Sequence, residues 1–236
     1  QVLPMLYSVC EGEAGLRKAL DELFAAAETA IEDGATILIL SDRDFDADRA
    51  PIPALLASAG LHHHLIRAGK RGKTGLVIES GEPREVHHYC LLLGYGANAI
   101  NPYMVYESLA DMIAEKVLPE DLGHGKAVDN YNKGVIKGIV KVMSKMGIST
   151  FKSYRGAQIF EAVGIKQEVV DEFFTWTDTR VEGIGLDVIA RETQLRHKQA
   201  YPPYASNGKA LDVGGEYQWR DEGEHHLFNP LTIHKL

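Results

Sequence analysis

Ile78-Glu79-Ser80-Gly81-Glu82-Pro83-Arg84-Glu85-Val86-His87-His88-Tyr89 is the stretch on which the fold turns. An apolar run, Gly75 to Ile78, stops at a polar turn containing glycine, and Pro83 then opens a helical pattern. Buried parallel strands read as short apolar runs. Proline suits the first helical turn, where its missing N–H would have no partner anyway. The stretch therefore reads as a strand–loop–helix junction. Glu79, Ser80, Glu82 and Arg84 gather where the strand ends, and in α/β folds that edge is where ligands bind. Arg84 opens the helix beyond the loop and is expected to reach back to Glu79 as a structural clasp.

The same alternation extends both ways. Glu13 to Asp33 carries a helical stripe (Leu16, Leu20, Leu23, Ala27, Ala30, Ile31) ended by Gly34. Thr36 to Leu40 reads as a buried strand, and a helix from Pro51 and Pro53 runs to about Arg67. Ala97 to Ile100 is a short strand, and a helix follows Asn101-Pro102. Val128 to Met146 has the best helical stripe, capped by Gly147; Ile148 to Phe151 reads as a strand. Ala157 to Val163 is open between strand and helical turn. Gln167 to Phe174 and Leu186 to Arg196 are helices.

Strands alternating with helices predict an α/β fold of parallel βαβ units. A partial or degenerate TIM-like barrel over residues 1–199 is the leading architecture, and a doubly wound sheet is second. From Ala200, Pro202-Pro203, Gly208, Gly214-Gly215 and Gly223 mark an irregular C-terminal arm, 200–236. Its aromatics (Tyr201, Tyr204, Tyr217, Trp219, Phe228) follow no periodic stripe, so it is expected to pack poorly or against a neighbour.

The bulk numbers narrow the function. The 236 residues suffice for one α/β barrel or two small domains. Lys and Arg number 25 against 33 Asp and Glu, a net charge of −8, which disfavours nucleic acid as a partner. No apolar run approaches the roughly 20 residues needed to span a bilayer, and Gln1-Val2-Leu3-Pro4 is no signal peptide. With only Cys10 and Cys90, a disulfide framework is not expected and a cytoplasmic setting is. Both ends read as cuts through a longer polypeptide.

Several constellations have bland readings. Asp42, Asp44 and Asp46 begin like a calcium loop, but Pro51 and Pro53 stand where the rest should be. His62-His63-His64 cannot all face one ion on a helix, since neighbours point about 100° apart. Gly94-Tyr95-Gly96 precedes a strand instead of following one, so it reads as a helix stop, not a dinucleotide fingerprint. Cys10 and Cys90 read as buried and inert. Asp42, Arg43, Glu79, Ser80, Asn101, Ser149, Thr150 and Arg155 all fall at or just after expected strand ends. With Arg84, they are the candidates for a strand-end pocket or channel wall. Structural hydrogen bonding between loops is the competing reading.

Longer phrases carry a resemblance. Leu38-Ile39-Leu40-Ser41-Asp42-Arg43, Ala50-Pro51-Ile52-Pro53-Ala54-Leu55-Leu56, and Val77 through His88 resemble the large subunit of glutamate synthase. So do Val142-Met143-Ser144-Lys145-Met146-Gly147-Ile148-Ser149-Thr150, Tyr154-Arg155-Gly156-Ala157-Gln158-Ile159-Phe160 and Gly214-Gly215-Glu216-Tyr217-Gln218-Trp219-Arg220. The segment resembled is the central domain, which in that family joins a glutamine amidotransferase domain to a synthase domain binding FMN and an iron–sulfur cluster. The resemblance implies a connecting scaffold that helps wall an ammonia tunnel in an oxidoreductase making L-glutamate from L-glutamine and 2-oxoglutarate. It implies no catalytic, cofactor-binding or metal residue here: residue 1 is Gln, not a catalytic Cys, and two cysteines cannot ligate a cluster. The alternative is a free-standing barrel enzyme with Glu79 and Asp42 as acid and base, and Ser149, Thr150 and Arg155 holding an anion.

Overall fold

The structure, a computed structural model, describes residues 1–119, 121–202, 213–216 and 218–236. Pro203, Tyr204, Gly208 and Tyr217 of the arm lie outside the described residues. By contact density the chain divides into Gln1–Gln199 and Ala200–Leu236.

The first unit is mixed α/β. Its main sheet has four parallel strands: β1 (Val2–Pro4), β3 (Ile37–Ser41), β5 (Gly75–Glu79) and β6 (Ala99–Asn101), in that order. Helix α1 (Gly12–Glu32) links β1 to β3, α2 (Ala54–Arg67) links β3 to β5, and α3 (Val86–Gly94) links β5 to β6. Register puts Ile39 opposite Val77 and Val77 opposite Ala99. Leu38, Leu40, Leu76 and Ile78 share one face and are fully buried, as period-2 side-chain alternation requires. Each contributes about 1.5–3 kcal/mol of burial. The stripe of α1 seals the core through Leu16, Leu20, Leu23 and Ala27.

Two smaller pairings flank the sheet. β2 (Leu6–Ser8) pairs antiparallel with β4 (Arg49–Pro51), and β7 (Glu161–Ile165) pairs parallel with β8 (Asp178–Ile184). The remaining helices are α4 (Tyr103–Ala114), α5 (His124–Lys145), α6 (Phe151–Tyr154), α7 (Gln167–Phe173), α8 (Leu186–Ala200) and, in the arm, α9 (Pro230–Lys235). Among the described residues the strands close no barrel, and no helix is long and apolar enough to cross a membrane.

The expected strand Ile148–Phe151 is absent. Met146 caps α5, Gly147 adopts a left-handed conformation (φ +72°), and the Ile148 and Gly147 amides return to the Met143 and Ser144 carbonyls at 3.0 and 3.1 Å. This is a Schellman cap, which wants an apolar residue where Ile148 stands. Phe151 opens α6 instead. Helix α3 also begins later than Pro83. Glu85 is its N-cap, in a capping box with His88, and leaves Pro83 and Arg84 in the preceding loop. The segment open between strand and helix contains the start of β7.

Candidate functional site at the strand ends

Three adjacent strands finish on polar residues in register: Ser41 opposite Glu79, and Glu79 opposite Asn101. Placing one carboxylate between two neutral donors settles its surroundings. Ser41 Oγ donates to Glu79 Oε2 at 2.6 Å, and Asn101 Nδ2 donates to Oε1 at 3.1 Å. Arg43, in the loop after β3, adds Nε to Oε1 at 2.9 Å and reaches Glu107 Oε1 at 3.4 Å. Its guanidinium carbon lies 4.2 Å from the Tyr103 ring centroid, a cation–π contact. Partial burial works to raise the Glu79 pKa, but the Ser41 and Arg43 hydrogen bonds and the Arg43 charge outweigh it and hold the carboxyl below its usual value.

Asp42 forms a second knot. It is 2% exposed and accepts from Ser80 Oγ at 2.6 Å, Tyr103 hydroxyl at 2.7 Å and the Gly81 amide at 3.2 Å. Burial, then the bond to Asp42, pushes the Tyr103 hydroxyl pKa up. The backbone joins the same loops: Asp42 N donates to Glu79 O and Ser80 N to Asn101 O. Thus Asp42, Arg43, Glu79, Ser80 and Asn101 come together. Sequence reasoning missed Ser41, Tyr103 and Glu107. The signal for Ser41 was its place as the last residue in phase with the β3 run.

Arg84 does not clasp Glu79. Glu79 takes Arg43 instead, which arrives from the neighbouring strand end. The Arg84 amide donates to His88 Nδ1 at 3.2 Å. Its side chain lines a separate hollow of about 370 Å3 with Glu82, His88 and Arg196. There Glu82 Oε2 accepts the Ala54 amide at 2.7 Å, at the start of α2. Protein crowded around Glu82 raises its pKa, though the side chain still reaches solvent.

Ser149 and Thr150 lie in the exposed link between α5 and α6, not at a strand end, and Thr150 Oγ1 bonds Ser153 Oγ at 2.8 Å. Arg155 sits beside the end of α3, where the Gly156 amide donates to Gly94 O at 2.8 Å. None of these three residues hydrogen-bonds to the Glu79 or Asp42 knot. Cys90 is buried and its thiol pKa is raised by that burial, whereas Cys10 is exposed, contrary to the expectation.

Asp46 spends its carboxylate on the Asp48 and Arg49 amides and the Arg49 side chain. Among the described residues no three His, Cys, Asp or Glu side chains are placed to hold a metal. The strand-end edge does not fit the phosphate of a flavin nucleotide either. Carboxylates of Asp42 and Glu79 converge there, and the Gly81 amide that a phosphate oxygen would need is given to Asp42. As an acid–base pair the two carboxylates are poorly placed for work, since Glu79 is held by side-chain donors of the chain itself and Asp42 by side-chain and backbone donors.

Comparison with known proteins gives a consistent family. The family profile described as glutamate synthase central domain matches residues 1–166. The chain is similar to the glutamate synthase [NADPH] large chain of Bacillus subtilis, 52% identical over 94% of this chain and 14% of the relative. It is 39% identical to glutamate synthase [NADH] of Saccharomyces cerevisiae over 99% of this chain and 11% of the relative. It is 38% identical to ferredoxin-dependent glutamate synthase 2 of Synechocystis over 95% of this chain and 15% of the relative. The chain therefore spans only a small part of the length of the relatives it matches.

Proposed function

Because the chain belongs to the glutamate synthase central domain family, we propose that it is the connecting domain of a glutamate synthase large chain. In this reading it is a scaffold, a partial TIM-like barrel, between an amidotransferase domain and a synthase domain of the same polypeptide. It helps wall the path that ammonia takes between them. The parent enzyme would form L-glutamate from L-glutamine and 2-oxoglutarate in the cytoplasm, with its FMN and iron–sulfur cluster held by residues outside this segment.

The observation that carries the reading is coverage. Nearly all of this chain aligns at 52% identity with only 14% of a much longer glutamate synthase. The strand-end geometry supports a scaffold, because the Glu79 and Asp42 carboxylates are spent on tying three strand ends and their loops together. That arrangement ties the edge together and leaves neither of these two carboxylates without donors.

The test is Glu79→Gln in the full-length gene product. The expected outcome is lower stability with glutaminase and synthase turnover each largely retained, while glutamine consumed per glutamate formed rises if the channel wall loosens. A loss of turnover of about a thousandfold at unchanged stability would make Glu79 catalytic, and the scaffold reading would fall.

A further inference from the structure

The opposite end of the main sheet holds a second hollow of about 250 Å3. Helices α2 and α3 finish there, because helices linking parallel strands run back against them. Its walls are aromatic. Tyr95 stacks on Phe160 with centroids 5.7 Å apart at 24°, and His63 meets the same Tyr95 edge-on. Trp176 stands at the mouth, 81% exposed. The turn Gly94-Tyr95-Gly96 does more than stop α3. A Cβ on Gly94 would lie 2.5 Å from the Phe160 ring, and one on Gly96 would lie 2.2 Å from His62 Nδ1. Bare backbone at both positions seats those two rings.

Beside the Gln158, Thr175 and Thr177 side chains, which can also accept, donors and cations gather in and next to the hollow. Arg71 Nε donates to His62 Nδ1 at 2.9 Å. An imidazole nitrogen that accepts carries no proton, so the proton of His62 is on Nε2. No acceptor for that N–H is found among the described residues, and the half-buried His62 ring lines the hollow. Burial and the Arg71 charge hold the His62 pKa down to about 3, so the ring stays a neutral donor. His63 Nε2 and Arg155 Nε nearby are shut off from solvent and have no partner, which folded proteins rarely leave unexplained. Arg67 lines the hollow, held there by donating to Thr175 Oγ1 and Glu172 O, both at 3.2 Å; the charges of Arg71 and Arg155 bear on His62, and among the described residues no carboxylate lines the hollow. On the rim, Gln158 (φ +53°) and Trp176 (φ +66°) hold left-handed backbone, a strain of the kind that concentrates at ligand clamps.

We propose that this hollow binds a flat aromatic monocarboxylate of one or two fused rings. The ring lies against the Tyr95–Phe160 stack under Trp176, and the carboxylate takes the His62 N–H and the Arg67 charge. An aromatic wall with few, convergent donors is the usual make-up of a small-molecule site. The proposal is independent of the glutamate synthase reading.

Calorimetric titration of the full-length gene product with 2-naphthoate tests it, with the neutral isostere 2-naphthamide as control. Saturable binding of the acid is expected, with the amide weaker by about tenfold or more. His62→Phe keeps the ring and removes the donor, and should weaken binding by about tenfold. Because that change also strips Arg71 of an acceptor, Ile66→Trp is the second variant. Ile66 is half-exposed and lines the hollow, so a larger ring there should fill the space and abolish binding at unchanged Tm. No binding of 2-naphthoate at millimolar concentration, equal affinity for the amide, or undiminished binding to Ile66→Trp would each overturn the proposal.

Discussion

Asp42 and Glu79, whose loops meet where Asp42 N donates to Glu79 O, divide the donors of the strand-end edge without sharing one. Ser80, Gly81 and Tyr103 serve Asp42; Ser41, Arg43 and Asn101 serve Glu79. The two knots can therefore be loosened separately.

For Glu79, the Gln variant keeps the shape and removes the charge. A loss of about 1–3 kcal/mol is expected, since charge-assisted bonds become neutral and one amide N–H faces a donor. The deficit depends on pH. A carboxyl whose folded pKa lies below its unfolded value, here near 4.5, contributes fully above that value. Its contribution is lost as pH falls through the folded pKa. Urea midpoints of wild type and variant should differ at pH 7 and converge below pH 4.5; a gap constant down to pH 3 would contradict the assignment.

On the Asp42 side, Tyr103→Phe deletes one donor and spares the ring beneath Arg43. The expected cost is about 1–2 kcal/mol, because a buried carboxylate loses one of its hydrogen bonds. Equilibrium denaturation reads it directly, and the loss should add to that of Glu79→Gln within about 0.5 kcal/mol if the knots are separate.

The paired histidines of α2 set a different acid limit. Burial first, then nearby arginines, lowers the pKa of His62 from 6.5 to about 3 and of His63 to about 4. The native state keeps both rings neutral while the unfolded chain takes up protons. Their contribution is thus intact above pH 6.5 and lost as pH falls toward 4, at up to about 1.4 kcal/mol per pH unit for each ring. The pH dependence of the urea midpoint between 6.5 and 4.5 should show this slope. His63→Gln should remove about half of it, and an unchanged slope would place the protons elsewhere.

Two glycine replacements separate backbone strain from steric exclusion. Gly147→Ala puts a Cβ into open space at φ +72°, and should cost about 1 kcal/mol. Gly96→Ala, at φ +109°, drives its Cβ into the His62 ring, and should cost about 2–4 kcal/mol. Thermal melts compare the two, and equal losses would mean that the His62 ring yields easily.

Sequence reading succeeded where burial enforces a period. The β3 and β5 runs and the α1 stripe are apolar because they face one core, and their bounds fall within a residue or two of expectation. It failed where local chemistry imitates a period. Ile148 looked like the start of a strand because a Schellman cap also asks for an apolar residue there. β8 escaped notice because most of its side chains are exposed and no apolar alternation marks it. At the site, Glu79, Asp42, Arg43, Ser80 and Asn101 were legible from their place after apolar runs. The identity of the cation was not: Arg84 is near in sequence, but parallel pairing brings Arg43 from the adjacent strand end.

The strand order β1-β3-β5-β6 follows the order of the chain, and this bears on how the protein is made. No strand in the main sheet waits for a later one to be inserted between itself and its partner. Each new βα unit can dock on the edge left by the one before it as the polypeptide emerges from the ribosome, N-terminal units first. Loop closures within the main sheet stay as short as one βα unit allows, because each of its strands joins the main-sheet strand completed before it, and shorter closures favour quicker assembly. Synthesis and sheet growth can run in the same direction, with β6 as the advancing edge.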